Sequence, residues 1–390
     1  ISESRHSVGS AGVASASSVA ADPSSSSTSV SSAATSVDVS GVAALRDPRN
    51  HQPPSTRVTT TRSRAPLRTQ YTTGGSGPTG CIRPAMLSTL LRRSLSHGTI
   101  RTVAHNTRRV ASVCSWFDDN ARPLPWRNST PWGVVVSEFM LQQTPVHRVE
   151  PVWQDWMKRW PTPPALASEP SGEAVRAWGR LGYPRRALRL HATAQQITDQ
   201  HGGRVPSSDE ALRALPGVGE YTAAAIRAFA FGLESIVLDV NVRRVISRAW
   251  SGIDEPPSHL SAVERTLADA LATAADDPSA WAAASMELGA IVCTKATPQC
   301  SVCPLKRSCA WRSAGFPPSE AARRRQPRYE GSDRQARGRI LSVLRESETA
   351  VDSNLLVDMS ADRDQMLRAL ESLESEGLIR RVGRAFALPL

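Results

Sequence analysis

The stretch "LPGVGEYTAAAI", Leu215–Ile226, decides how the rest of the chain is read. Two glycines two residues apart, set between helix-sized blocks, let the chain turn with backbone N–H groups exposed. The helix that follows adds the partial positive charge of its N-terminus. Such a turn suits a phosphate of a DNA backbone, met through Gly217, Val218 and Gly219, although a plain helix–turn–helix corner would also use glycine. Outward from this stretch, "WGVVVSEFMLQQT", from Trp132, is apolar and long enough for a buried helix. "VEPVWQDWMKRW", "SGEAVRAWGRLG", "RRALRLHATAQQITDQHGG" and "PSSDEALRALPGVG" follow as helical blocks, most of them ended by Gly or Pro. Ser207 and Glu210 have the spacing of a capping box and predict a helix start there. "YTAAAIRAFAFG", "NVRRVISRAW", "HLSAVERTLADALATA" and "PSAWAAASMELGAIVC" continue the series. Nothing over this region alternates with a sustained period of two, so the class is all-α.

The flanks read differently. Residues 1–110 are rich in Ser, Ala, Thr, Val and Arg, and "SSSSTSVSSAATS" cannot bury enough surface to offset its ordering entropy. They are expected to form a disordered basic leader, with order beginning near Ala111. The first methionine is Met86, so part of the leader is expected to be upstream sequence. "MLSTLLRRSLSHGTIRTVAHNTRRV" is Arg-rich and free of acids, which is also how an organelle-targeting peptide reads; the unstructured leader is the preferred reading. The formal charge is +11, but residues 1–110 hold 13 Arg against 4 acids, so the basic balance says little about the folded core. No run approaches the roughly 18–20 apolar residues of a membrane span. The chain is expected to be soluble, without a membrane partner, and cytoplasmic, near the nucleoid, if bacterial. After a linker at 313–332, residues 333–390 form a small separate unit. Two helical patterns there lead into "LIRRVGRAFAL", a hairpin turning near Gly383, in the order of a winged helix. A unit of no binding function is equally consistent with it, because "RALESLESEG" is acidic on its exposed face.

Three constellations carry chemistry. Cys293, Cys300, Cys303 and Cys309 form a C-x6-C-x2-C-x5-C pattern, a metal or cluster site whose spacing leaves four-thiolate zinc and a cubane iron–sulfur cluster both open. Cys81 and Cys114 are incidental. Asp239, in "VLDVNVRRVI", heads a helix as an N-cap or a catalytic carboxylate. Glu138, in the apolar run "VVVSEFML", should have its pKa raised by desolvation, as a general acid near neutral pH requires; a structural salt bridge is the competing explanation. One turn on, "QQT", Gln142, Gln143 and Thr144, ends the helix with side chains able to reach base edges or fill a gap in a stack.

With these pieces in order the sequence resembles the helix–hairpin–helix DNA glycosylase superfamily, and closely its adenine DNA glycosylase (MutY) branch. The resemblance covers about residues 111–312 and rests on "PWGVVVSEFMLQQT", "LGYPRRALRLH", "LPGVGEYTAAAI", "LDVNVRRV" and the four cysteines. It implies a two-lobed α-fold, with a six-helix lobe at 132–236 and a second lobe joining 111–131 to 237–312 around a [4Fe–4S] cluster. Double-stranded DNA with adenine opposite 8-oxoguanine or guanine would be bent in the cleft of a monomeric enzyme, its adenine flipped out. Glu138 would protonate the adenine and assist the attacking water. Asp239, with Asn241 beside it, would stabilise the cationic sugar, and Gln142 and Tyr183 would enter the duplex. Tyr221 stands where glycosylase-lyases such as endonuclease III carry an imine-forming lysine, which implies a monofunctional hydrolase. The two alternatives are a pyrimidine-damage glycosylase-lyase and a non-catalytic DNA-binding protein with structural zinc. Family members usually end in a domain that reads 8-oxoguanine through a Phe-Ser-His loop, and no such loop follows Cys309.

Overall fold

The computed structural model describes residues 97–319 and 328–390, with side chains from residue 103. Residues 1–96, with Cys81 and most of the expected leader, lie outside the described residues. The first helix, α1 (His97–Asn120), corrects the expected start of order: residues 97–110 are helical. The cause lies far along the chain. Val110 and Val113 are buried in a core built from residues beyond 240. Arg109 lies 3.9 Å over the Trp250 ring and donates to Ala249 O at 2.7 Å. None of these partners lies within a helical turn in sequence, so the periodicity of 97–110 alone could not reveal them.

Helices dominate up to residue 313. After α1 come α2 (Pro131–Leu141), α3 (Val146–Arg159), α4 (Pro163–Ala167), α5 (Ser171–Trp178), α6 (Arg185–His201), α7 (Asp209–Arg213) and α8 (Glu220–Phe231). The resemblance implies six helices in this lobe; the segment from α2 to α8 has seven, two of them only five residues long. Pro131 opens α2 behind the Thr130 cap, and nine consecutive residues from Trp132 to Met140 are buried. A helix apolar all round must be central, and α2 packs against α3, α6 and α8. The N-cap of α7 is Ser208, whose hydroxyl accepts from Ala211 N, and not Ser207 as the capping-box spacing predicts.

The second lobe contains α1, α9 (Val240–Ile246), α10 (Ala262–Thr273), α11 (Pro278–Ile291) and α12 (Ala310–Ser313). Its core draws on Val242, Val245, Leu271, Trp281 and Leu288. The segment expected to belong wholly to it, 111–131, is divided. Trp126, in a 3-10 turn at Pro125–Asn128, packs edge-on against Trp153 of the first lobe. Arg122 and Arg127 instead reach Glu287 of α11, at 2.7 and 2.9 Å. A third cluster of small residues, Ala224, Ala225, Ala228, Val237 and Ala282, lets α8 and α11 approach at the seam, with Tyr221 packed against it.

The last unit comprises α13 (Asp333–Glu346), β1 (Val351–Asp352), α14 (Ser353–Val357), α15 (Arg363–Ser375), β2 (Arg380–Val382) and β3 (Ala385–Ala387). The antiparallel strands run β1-β3-β2, Phe386 facing Val351 on one side and Arg381 on the other, and the hairpin turns at Gly383 with φ +61°. Its apolar residues are continuous with the core of the first lobe. Arg345 Nε donates to Val175 O at 3.0 Å and Gly172 N to Pro389 O at 3.1 Å, so α5 is the dock. A Cβ on Gly172 would stand 2.2 Å from Pro389 O, which is why a glycine is there. Among the described residues no helix is long and apolar enough to cross a membrane.

Candidate active site and DNA-facing turns

Three residues distant in sequence meet at the seam. Glu138 rides on the central α2 and is 6% exposed. Burial, and then the negative charge of Asp239, push its carboxyl up to about 7, while a hydrogen bond from Tyr221 opposes the shift. Tyr221 is in the first turn of α8. Burial and the charges of Glu138 and Asp239 hold its phenol well above the ordinary 10, so it stays neutral and donates. Asp239 caps α9: Oδ1 accepts from Asn241 N at 2.9 Å and Val242 N at 2.7 Å, and Oδ2 from Asn241 Nδ2 at 2.8 Å. Burial raises its pKa, while those bonds and Arg244 hold it down. The cap and the candidate catalytic carboxylate are therefore one residue, its charge supported by the amides of the helix it starts. The arrangement places an acid that keeps its proton up to about 7 near a second carboxylate supported by helix amides, the division of labour that cleavage of a glycosidic bond needs.

Two residues that the sequence reading passed over hold this site. Arg244 donates to Asn241 Oδ1, Gly289 O and Cys293 O, each at 2.7 Å, and so ties the Asp239 turn to α11. Gly289 allows the contact, because a Cβ there would lie 2.7 Å from Asn241 Cβ and Asn241 O. The available signal was an arginine on an otherwise buried helix face and a lone glycine inside "SMELGAIVC".

Arg186 does the same for the turns expected to face DNA. It is 5% exposed. Nη1 donates to Phe139 O, Met140 O and Gln142 O, and Nη2 to Thr144 Oγ1 and Gly182 O, so the last carbonyls of α2 and the loop before α6 share one cation. Burial lowers its pKa to about 10, which still leaves it charged. Gln143 (φ +56°) and Tyr183 (φ +47°) sit in the left-handed region on the two braced loops, a strained conformation typical of functional turns. Gln142, Gln143 and Tyr183 line one groove, with Tyr183 55% exposed.

Two residues expected at the DNA depart from expectation. Thr144 is buried, its hydroxyl donating to Leu181 O at 3.2 Å and accepting from Arg186, so its side chain braces the loop and does not face outward. Val218 is buried and its N–H closes the hairpin onto Leu215 O at 3.1 Å, so it has no amide to offer. Gly217 and Gly219 are exposed, and neither N–H is among the backbone bonds of the described residues. Gly217 has φ +81°, and a Cβ there would crowd the Phe139 ring at 3.1 Å.

Cys293, Cys300, Cys303 and Cys309 are free thiols lining one cavity with Arg248 and Trp311. Arg248 Nη1 approaches Cys293 Sγ at 3.6 Å, and its guanidinium lies 4.4 Å over the Trp311 ring. Among the described residues no group of three or more His, Cys, Asp or Glu is arranged to hold a single metal ion.

A family model of HhH-GPD superfamily base excision DNA repair proteins matches residues 136–271, a span that contains Glu138, Tyr221 and Asp239. The chain is similar to the adenine DNA glycosylase of Mycobacterium tuberculosis (strain CDC 1551 / Oshkosh), 48% identical over 284 residues, which cover 71% of this chain and 92% of that protein. It is similar to the adenine DNA glycosylase of Mycolicibacterium smegmatis, also 48% identical, over 69% of this chain and 92% of the other. Among solved structures, a thermostable thymine-DNA glycosylase aligns with TM-score 0.49 and 25% identity over 54% of this chain and 99% of its own. With the hairpin, the buried glutamate and the four-cysteine loop in one chain, and the two adenine DNA glycosylases each matched over 92% of their length, the chain belongs to the adenine DNA glycosylases of base excision repair, within the HhH-GPD superfamily.

Proposed function

We propose that the chain is a monofunctional glycosylase that hydrolyses the N-glycosidic bond of adenine opposite 8-oxoguanine or guanine. The reading is carried by Glu138, buried at the seam with Tyr221 and Asp239, where burial pushes its carboxyl up to about 7. The protonated Glu138 gives its proton to a ring nitrogen of the flipped adenine as the bond to the sugar breaks and its electron pair leaves with the base. Asp239, whose burial raises its pKa and whose carboxylate is favoured by the Asn241 and Val242 bonds and by Arg244, faces the positive charge left on the sugar. Water adds to the sugar carbon and passes a proton to the Glu138 carboxylate, which restores the acid. Tyr221 has no amine, so no imine forms and the product is an intact strand with an abasic site.

Gly217 and Gly219 hold a phosphate at the hairpin, and Gln142, Gln143 and Tyr183 enter the duplex, where stacking on Tyr183 would recover on the order of 1–3 kcal/mol. Cys293, Cys300, Cys303 and Cys309 fit a [4Fe–4S] group: four thiols share one cavity, with Arg248 beside Cys293 to offset negative charge. When bound, that group fixes the 293–309 loop and supplies no base chemistry. The test is single-turnover release of adenine from duplexes holding A opposite 8-oxoguanine, G or C. Release from the first two and not the third supports the reading; release from none overturns it.

A further inference from the structure

The groove that Gln142, Gln143 and Tyr183 line, of about 990 Å³, has a second wall that the reaction does not account for. One wall belongs to the glycosylase lobe, with Arg180, Arg185 and Arg189. The other is formed by Tyr329, at the end of the linker, and by the C-terminal unit, with Arg334 and Arg339. Among the described residues nine arginines line the groove and Glu376 is the one carboxylate. Glu376 is already engaged by Arg337, at 2.7 and 3.0 Å, and lies 3.9 Å from Arg185. Arg339 is exposed on α13, and its side chain makes no hydrogen bond or ion pair to the described residues.

The wall is fixed. Arg345, on the same helix as Arg339, is clamped to Val175 O, Arg176 reaches Ser347 O at 3.1 Å and Arg345 O, and the two units share one apolar core. The winged-helix order would ordinarily present α15 to a DNA groove, but α15 carries Glu371 and Glu374, with Glu376 just beyond it. In this chain the basic surface lies instead on the first helix of the unit, turned toward the glycosylase lobe.

We propose that the C-terminal unit completes the DNA cleft, and that α13, through Arg339, grips the phosphate backbone of the duplex where Gln142 and Tyr183 enter it. The proposal rests on the glycosylase reading for the direction of the DNA; the charge of the groove supplies the rest. A cleft with one cationic wall on each side of the inserted turns holds the strand opposite the flipped base in place, and phosphate contacts position without reading sequence.

The test uses the full-length holoprotein in a Glu138→Gln background, bound to a duplex with adenine opposite 8-oxoguanine or guanine over a fourfold range of salt. Each phosphate contact contributes a slope of about −0.9 to log affinity against log salt. Arg339→Ala should therefore lose about one slope unit, which makes its affinity fall about 3.5-fold less than that of the parent across that range. Arg339→Glu should weaken binding further, Arg339→Lys should restore the slope, and both duplexes should respond alike. An unchanged slope in Arg339→Ala and Arg339→Glu overturns the proposal, as does a loss confined to the 8-oxoguanine duplex. Failure of the glycosylase reading is distinct, because it appears as no adenine release from any duplex with Glu138 intact.

Discussion

Replacing Glu138 with Gln should make the protein nearly inactive and, at pH 8, more stable. Gln has the shape of Glu, and its carbonyl can still accept the Tyr221 hydrogen bond. The native fold holds the Glu138 proton up to about 7, against an ordinary value of 4.5 that describes the unfolded chain. The native state thus binds the proton more tightly, so this group's favourable contribution is fully present below about 4.5 and is lost as pH climbs to about 7. At about 1.4 kcal/mol per tenfold change in proton affinity, ionising Glu138 in its site costs on the order of 3 kcal/mol at pH 8. Glu138→Gln removes that cost. Chemical denaturation should show the variant more stable by up to about 3 kcal/mol at pH 8, with the gain shrinking steadily toward pH 5. Single-turnover adenine release should drop by about 10²–10⁴-fold. A variant no more stable than wild type at pH 8 would refute the argument from burial. Activity retained within a few-fold would refute the catalytic assignment.

Other perturbations probe the surroundings. Tyr221→Phe deletes the bond that favours the ionised Glu138, so the alkaline limb of the wild-type pH–rate profile, set near pH 7, should move to higher pH. Borohydride should trap no covalent complex with wild type, whereas Tyr221→Lys should give one. Gly289→Ala would drive a methyl into Asn241 at 2.7 Å, and should lower stability by roughly 1–3 kcal/mol and slow base release more than it weakens DNA binding. Cys303→Ser should lose the visible absorbance of an iron–sulfur group, read on the purified protein by its spectrum and iron content.

Periodicity alone could show that the folded part is helical, because α2 is apolar on every face and the later blocks are closed by Gly or Pro. Spacing alone could nominate the cysteines, and an acid inside "VVVSEFML" was bound to be desolvated wherever that helix packed. Gly217 was legible because its turn needs a positive φ. These are local facts, set by residues within a turn or two of one another.

Only the tertiary structure decided which of the chosen residues meet. Glu138, Tyr221 and Asp239 come together because small alanines let α8 approach α11 at the seam. Thr144 and Val218 turn inward because their polar atoms are claimed by Leu181, Arg186 and Leu215. Arg186 and Arg244 escaped notice because a buried arginine and an exposed one look the same in a sequence, and what separates them is the set of carbonyls folded around the guanidinium. The same holds for the start of α1, stabilised from residues 249 and 250, and for the C-terminal unit, whose charges gain meaning only against the opposite wall. Burial and hydrogen bonding over such separations depend on the packing of the whole chain, and no local pattern encodes them.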